Sequence, residues 1–279
     1  MNKRHKSFEL FSQYSYYLPD IGGVFFLTLF LLLGAFLGNL TVLLLGFVVS
    51  LDFAQTYGMV ISYPLMFVPA MLYASAKSRA ESMFGEAVPM NIELETWTKA
   101  IVASVTVSLV TLASAFLMDP ISAILPPMPE KWQVALENMA INMPLWASLL
   151  SVSVFAPFFE EWLCRGMVLR GLLKKVKPVW AIVISAAFFG LIHLNPWQAI
   201  PAFALGLLFG YVYYKTNSLK LTMLMHCVNN TFSVLISRFL DFGSADTFYE
   251  ALPLQVYILL LGVSALIVVS FFIFRKKIL

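Results

Sequence analysis

The stretch Phe159-Glu160-Glu161-Trp162-Leu163-Cys164-Arg165 places two adjacent carboxylates and a guanidinium inside an otherwise apolar helical segment. Charged side chains at the centre of a bilayer-spanning helix cost about 2.5–3.5 kcal/mol each on insertion scales, so they are rare there and usually functional. Two later apolar segments carry His193, and then His226 with Asn230. These residues predict a polar site built inside a hydrophobic protein.

The composition of the chain is that of a polytopic membrane protein. Of its 279 residues, 60% are hydrophobic and only 12% are charged, whereas about 25% are charged in an ordinary soluble domain. We therefore expect the lipid bilayer, and no nucleic acid, as the surroundings of this chain. The two cysteines, Cys164 and Cys227, are expected to be small buried hydrophobes rather than a disulfide, with a thiol role as the alternative.

Eight apolar segments predict an all-α protein with about eight transmembrane helices. A span needs about 20 mainly apolar residues to cross roughly 30 Å of hydrocarbon. The segments are 22–49, 57–76, 100–118, 145–172, 179–195, 197–214, 219–239 and 255–274. The first is long enough to tilt strongly or to contain a break near Gly38. The fifth and sixth are expected to form a helical hairpin in which Pro196 ends the first helix.

The distribution of basic residues predicts the orientation of these spans. Eight lysines and arginines fall in the predicted loops of one side, and three follow the last span: Lys77, Arg79, Lys99, Lys174, Lys175, Lys177, Lys215 and Lys220, then Arg275, Lys276 and Lys277. By the positive-inside rule this side is cytoplasmic, and an even number of spans then puts both termini there. We expect an integral protein of the bacterial cytoplasmic membrane.

The chain divides into three predicted regions. Residues 1–144 form an N-terminal membrane region of three spans with loops, residues 145–240 form the catalytic core, and residues 241–279 add the last span and a basic tail. Within the first region, an interfacial amphipathic piece is considered for 77–99, although Gly85 and Pro89 interrupt its pattern. Residues 119–144 are expected to form an extended outer loop followed by a short helix near 131–141.

The chemistry of the candidate site follows from the spacing of its residues. Glu161 and Arg165 are four residues apart on one helix face, where an ion pair forms readily. Glu160 is rotated by about 100° from Glu161 and is free to act as a general base. A carboxylate with a histidine can polarise a water, while His226 and Asn230, one turn apart, can donate hydrogen bonds to an oxyanion. These functions together predict peptide hydrolysis.

Each of these residues also has a structural interpretation. His193 alone could cap a neighbouring carbonyl. Glu160 and Glu161 could be a pair at a helix end, close to the membrane interface with Arg165. Asn230 could simply join helices by hydrogen bonds, as polar side chains do between spans. The joint occurrence of these residues on three spans favours the catalytic interpretation.

The motifs Glu160-Glu161-x-x-x-Arg165, Phe189-x-x-x-His193 and His226-x-x-x-Asn230, in this order on separate spans, resemble those of the CPBP family of intramembrane proteases. That family includes the type II CAAX prenyl endopeptidases and the bacterial abortive-infection and bacteriocin-immunity proteins. The resemblance covers roughly residues 145–240. It implies a helical membrane core with a site that opens to the cytoplasmic side.

The resemblance also implies a role for each residue. Glu160 and His193 would activate water, and His226 and Asn230 would stabilise the oxyanion. The supporting residues would be Glu161, Arg165 and Phe189. The implied substrate is a membrane-embedded or lipid-anchored peptide or protein.

Two questions stay open at the level of sequence. The first is whether zinc takes part: Glu160, His193 and His226 could supply three ligands, but a metal-independent glutamate mechanism is favoured because no His-Glu-x-x-His pair is present. The second is whether the chain is an enzyme at all. A catalytically silent immunity or scaffold protein could keep the same residues for packing. A transporter with a proton relay is disfavoured, because the two halves show no repeat symmetry.

Overall fold

The computed structural model describes residues 11–240 and 247–278, and every regular element within them is helical. Eight long helices follow one another in the chain: α1 Ile21–Val48, α2 Leu51–Glu81, α3 Trp97–Phe116, α4 Leu145–Leu172, α5 Pro178–Leu191, α6 Pro196–Thr216, α7 Leu219–Phe239 and α8 Leu254–Ile278. Each coincides with one predicted segment. The all-α prediction is confirmed. The basic pair Lys276 and Lys277 falls within α8 rather than after it.

The membrane character of the bundle is clear, while the number of crossings stays a prediction. Within the described part of the chain, five helices are long and apolar enough to span a bilayer: α1, α2, α3 with its extension to Ser122, α4, and α8 as far as Arg275. Helix α5 is apolar but has only 14 residues. Helices α6 and α7 are long enough, at 21 residues each, but less apolar. The cytoplasmic placement of both termini is likewise still a prediction.

Helices α1 and α2 pack closely through glycines on α1. A β-carbon added at Gly34 would lie 1.9 Å from the carbonyl oxygen of Met66, and one at Gly38 would lie 2.9 Å from that of Ser62. Small residues allow membrane helices to approach to this distance and gain van der Waals contact. Helix α1 runs unbroken through Gly38, so the break considered there is not formed.

The segment between α2 and α3 is an extended strap rather than the amphipathic piece considered for 77–99. Residues 86–94 have no helical structure, and Met90 is fully buried. The Tyr213 hydroxyl donates to the Met90 carbonyl at 3.0 Å, and Ile92 N–H donates to Asn217 O at 2.8 Å. The backbone groups of the strap are therefore satisfied by bonds to the end of α6 and the turn after it, rather than by bonds within a helix.

Arg170, which the sequence did not single out, joins the strap to the segment before α1. Its Nη1 donates to the Val88 carbonyl at 2.8 Å, and its Nη2 donates to the Tyr14 and Tyr17 carbonyls at 2.8 Å each. One guanidinium at the end of α4 therefore holds two irregular segments in place. Such carbonyls would otherwise be costly to bury.

The short helix predicted in the loop before α4 is present, although the loop begins with a helical turn, Asp119–Ser122, rather than an extended chain. A short helix covers Glu130–Glu137 and continues as a π turn over Asn138–Asn142, as expected near 131–141. Arg238, at the end of α7, donates to the carbonyls of Ile141 and Met143 at 2.7 Å each. This cation at a helix C-terminus ties the loop to α7.

Replacing Gly34 with alanine is expected to force α1 and α2 apart, because the new β-carbon would clash with the Met66 carbonyl. Overpacking costs about 1–3 kcal/mol, so the purified protein in detergent should unfold at a lower temperature. Gly262→Ala is the matched control, since a β-carbon there meets no described heavy atom within 4 Å. Equal unfolding midpoints for the two variants would contradict this packing.

Candidate active site

Helix α4 carries the glutamates and is not a regular α-helix. The expected span of 145–172 is formed, but Leu149–Phe155 and Trp162–Leu169 are π-helical, and a short α segment, Ala156–Glu161, lies between them. π segments are uncommon and occur frequently at functional sites. The two carboxylates thus lie at the junction where the helix changes its winding.

Pro157 explains how Asn230 is held. In the first π segment an amide bonds the carbonyl five residues earlier, as Ala156 N–H does with Ser151 O. In that pattern the carbonyl of Val152 would require the N–H of residue 157, which proline lacks. Asn230 on α7 supplies the donor instead, since its Nδ2 donates to Val152 O at 2.8 Å. A backbone irregularity in α4 therefore fixes a side chain on α7.

The predicted ion pair between Glu161 and Arg165 is present and fully buried. Arg165 Nη1 donates to Glu161 Oε1 at 2.7 Å, and neither side chain is exposed. Arg165 Nη2 donates to the carbonyl of Gly206 on α6 at 3.0 Å. A β-carbon at Gly206 would lie only 3.3 Å from this guanidinium. The pair therefore connects α4 to α6.

Two aromatic rings complete the surroundings of the guanidinium. Its central carbon lies 4.5 Å from the ring centre of Phe189 and 5.3 Å from that of Phe209, and cation–π attraction is strongest where water is excluded. The Phe189 ring also meets both imidazoles edge-on, at 5.2 Å from His193 and 5.4 Å from His226. Phe189 thus contacts the guanidinium and both imidazoles, while its supporting role stays a prediction.

His226 lies between the two carboxylates. Its Nδ1 is 3.1 Å from Glu161 Oε1, and its Nε2 is 3.8 Å from Glu160 Oε2. A proton on Nδ1 is donated to Glu161, which leaves Nε2 facing Glu160. The sequence hypothesis assigned Glu161 to Arg165 alone. In the structure the same oxygen, Oε1, contacts both Arg165 and His226, so Glu161 orients the histidine as well.

The Glu160 carboxylate has a partner that the sequence did not reveal. The hydroxyl of Tyr63 on α2 donates to Glu160 Oε1. The other oxygen, Oε2, is buried and has no hydrogen-bond partner among the described residues. The only sequence signal at Tyr63 was a hydroxyl in an apolar span.

His193 is separated from the carboxylates. Its Nδ1 lies 2.8 Å from the carbonyl of Phe189, the residue four positions earlier. The contact assumed in the structural interpretation of His193 is therefore present. In the described part of the chain no carboxylate oxygen lies within 4.0 Å of its ring nitrogens. With Nδ1 as donor, Nε2 is the nitrogen left for other chemistry.

The three residues considered as zinc ligands are not grouped together in the structure. Among the described residues, no group of three or more His, Cys, Asp or Glu side chains is placed to hold a metal ion. Glu160 and His226 are close, but His193 is not grouped with them. Both cysteines are free, and Cys164 is buried, as expected for small packing residues.

The fold and the site define a helical membrane protein with a buried carboxylate–histidine centre. Residues 142–232 match the family model described as Rce1-like, type II CAAX prenyl endopeptidase. A Bacillus subtilis (strain 168) protein named "Putative membrane peptidase YdiL" is 27% identical over 84 residues, which are 30% of this chain and 34% of that protein. Both similarities fall on the segment that carries the three motifs, and they support its resemblance to the CPBP family of membrane proteases. No solved structure matches.

The match has a defined extent. The chain spans about a third of the length of the curated relative that it matches. The matched segment contains α4 to most of α7, and therefore Glu160, His193, His226 and Asn230. Tyr63 lies outside it.

The buried pair gives a stability prediction. Arg165→Met leaves Glu161 charged in the interior without its guanidinium partner, although the contact with His226 remains. Breaking a buried pair in this way costs about 3–5 kcal/mol. Adding Glu161→Gln removes the stranded charge and should recover a large part of the loss. The measurement is the free energy of unfolding in mixed detergent micelles for both single variants and the double variant. Strictly additive losses would show that the two side chains do not interact.

Proposed function

We propose that this protein is an intramembrane endopeptidase that hydrolyses a peptide bond with a water activated by a glutamate. The observation that carries the proposal is the placement of His226, which Glu161 orients so that Nε2 faces the Oε2 atom of Glu160. A base and a polarising group thus face each other in a buried setting, where electrostatic interactions are stronger than in water. The similarity of residues 142–232 to a membrane protease family supports the same reaction class.

Glu160 is assigned as the general base. Its Oε1 already accepts a hydrogen bond from Tyr63, whereas Oε2 is an acceptor without a described hydrogen-bond partner. Oε2 takes a proton from water, and the water oxygen forms a bond to the carbonyl carbon of the substrate. When the tetrahedral intermediate collapses, the C–N bond breaks and Glu160 returns the proton to the leaving amine.

His226 and Asn230 are assigned to the oxyanion. His226 is held at Nδ1 by Glu161, so a proton at Nε2 is directed into the site when the imidazole is charged. Asn230 uses one amide proton on Val152 O, and the second proton remains for the oxyanion. Two donors fixed before the reaction need no reorganisation during it, which is the main source of such stabilisation.

His193 is assigned to the water together with Glu160, as the family resemblance implies. Its Nδ1 contact with the Phe189 carbonyl leaves Nε2 as the only nitrogen for that task. The Phe189 ring packs against both His193 and His226. Catalytic hydrogen bonds are often longer in the absence of substrate than in the reacting complex. We therefore expect substrate binding to bring His193 Nε2 closer to the water and to Glu160.

The substrate class follows from the surroundings of the site. Glu160 and His226 are nearly fully buried between apolar helices, so a membrane-embedded or lipid-anchored peptide or protein is the substrate that reaches them. We place the protein in a bacterial cytoplasmic membrane with its site toward the cytoplasm. A comparison of membrane peptidomes from wild-type and Glu160→Gln cells will identify the cleaved chain.

Glu160→Gln and His193→Ala are each expected to abolish cleavage, by about 10²-fold or more for the loss of general-base catalysis, without unfolding the protein. The exposed carboxylate Glu95 provides the matched control Glu95→Gln, which should cleave normally. Cleavage is read by mass spectrometry of substrate accumulated in membranes. If both site variants still cut, the protein is not this enzyme.

The immunity or scaffold alternative makes the opposite prediction. Gly190→Leu should disrupt packing in either case, because a β-carbon there lies 2.8 Å from the Ala199 carbonyl on α6. A scaffold would lose its cellular phenotype with Gly190→Leu but keep it with Glu160→Gln.

Removal of metal ions is expected to leave activity unchanged. The glutamate mechanism draws its base and its oxyanion donors from side chains alone, and the three zinc ligands considered are not grouped. The measurement is cleavage before and after dialysis against a chelator, together with the metal content of the purified protein. Stoichiometric zinc whose removal stops cleavage, and whose return restores it, would overturn the glutamate assignment.

A further inference from the structure

Tyr63 is the contact between the candidate base and a part of the chain outside the matched segment. It lies in the interior of α2 and donates its hydroxyl proton to Glu160 Oε1, since an ionised carboxylate can only accept. The two oxygens of Glu160 thereby differ: Oε1 is occupied, while Oε2 faces His226 Nε2 at 3.8 Å. The hydroxyl therefore decides which oxygen is available to take a proton.

The ring of Tyr63 is held independently of its hydroxyl. Its centre lies 5.7 Å from that of Phe67, which is fully buried. Phe67 in turn stacks on Phe159, the residue before Glu160, with ring centres 5.2 Å apart and an angle of 15° between the ring planes. An aromatic row thus runs from Tyr63 to the backbone next to Glu160. Removal of the hydroxyl alone leaves this packing intact.

We propose that Tyr63 is a positioning residue for the hydrolysis, which fixes the Glu160 carboxylate with Oε2 directed at the water. This inference rests on the proposed function, but the contact itself does not. Tyr63 touches the base and not the substrate, so its effect is on the turnover step. A hydroxyl that served only to satisfy a buried acceptor would affect stability instead.

The first test is Tyr63→Phe, with Tyr73→Phe as the matched control. Tyr73 lies on the same helix and its hydroxyl is also hydrogen-bonded, to Tyr17 at 3.4 Å, but it is not in the site. We expect kcat to fall about 10- to 100-fold in Tyr63→Phe, the range for a lost hydrogen bond to a charged group, with KM unchanged. Tyr73→Phe should retain wild-type kcat. Thermal unfolding of both variants verifies the fold.

The second test requires no substrate. A membrane-permeant carbodiimide adds to a carboxyl oxygen that no hydrogen-bond donor occupies, and the Tyr63 hydroxyl occupies Oε1 of Glu160. Tyr63→Phe should therefore increase carbodiimide labelling of Glu160 at neutral pH, localised by fragmentation in the mass spectrometer. Tyr73→Phe should be labelled like the wild type.

The two tests separate this inference from the proposed function. Lower kcat with faster labelling supports both. If Tyr63→Phe is labelled faster but the wild-type protein cleaves nothing, the contact between Tyr63 and Glu160 is supported. The proposed function is then wrong, and so is the catalytic role of this contact. Wild-type cleavage and wild-type labelling in Tyr63→Phe, with Glu160→Gln inactive, would overturn the inference and leave the enzyme. Lower kcat with unchanged labelling would show that Tyr63 does not act through Glu160, and would overturn it as well.

Discussion

Arg165 must keep its charge in a place that water does not reach. It does so by donating to Glu161 and to the Gly206 carbonyl, with two aromatic rings around its guanidinium. A buried ion pair is rarely a net gain in stability, and here it serves to fix geometry. Because Glu161 is fixed by Arg165, it can in turn fix His226. The orientation of the imidazole toward Glu160 therefore depends on a charge pair that need not touch the substrate.

The irregular winding of α4 has a comparable role. Proline at position 157 leaves the Val152 carbonyl without a donor in the π pattern, and Asn230 from α7 takes that place. Because an unsatisfied carbonyl is costly in an apolar bundle, the Val152 carbonyl holds the Asn230 amide in one position. A backbone carbonyl left without a donor in one helix and a polar side chain on another thus satisfy each other by a hydrogen bond. This explains why polar residues lie within three apolar helices without destabilising them.

The sequence predicted the helices and the Glu161–Arg165 pair because both rest on local patterns. Long apolar runs located eight helices, and a spacing of four residues predicted the Glu161–Arg165 pair. The contact between Glu161 and His226 joins residues 65 positions apart, and no local pattern specifies it. The π segments were missed because a proline in an apolar run predicts a kink as readily as a change of winding. The strap over 86–94 was missed because its hydrogen bonds go to other helices.

The candidate site is not contained in the segment that carries the family motifs. Within 142–232 lie both glutamates, both histidines and Asn230, yet Glu160 Oε1 is satisfied from α2. Helix α2 owes its position to α1, which it approaches at Gly34 and Gly38, and Arg170 joins the strap that follows α2 to α4. A glutamate with both oxygens unpartnered could turn either one toward a water. The N-terminal helices thus remove that freedom, and the selection of a single basic oxygen is a property of the whole bundle.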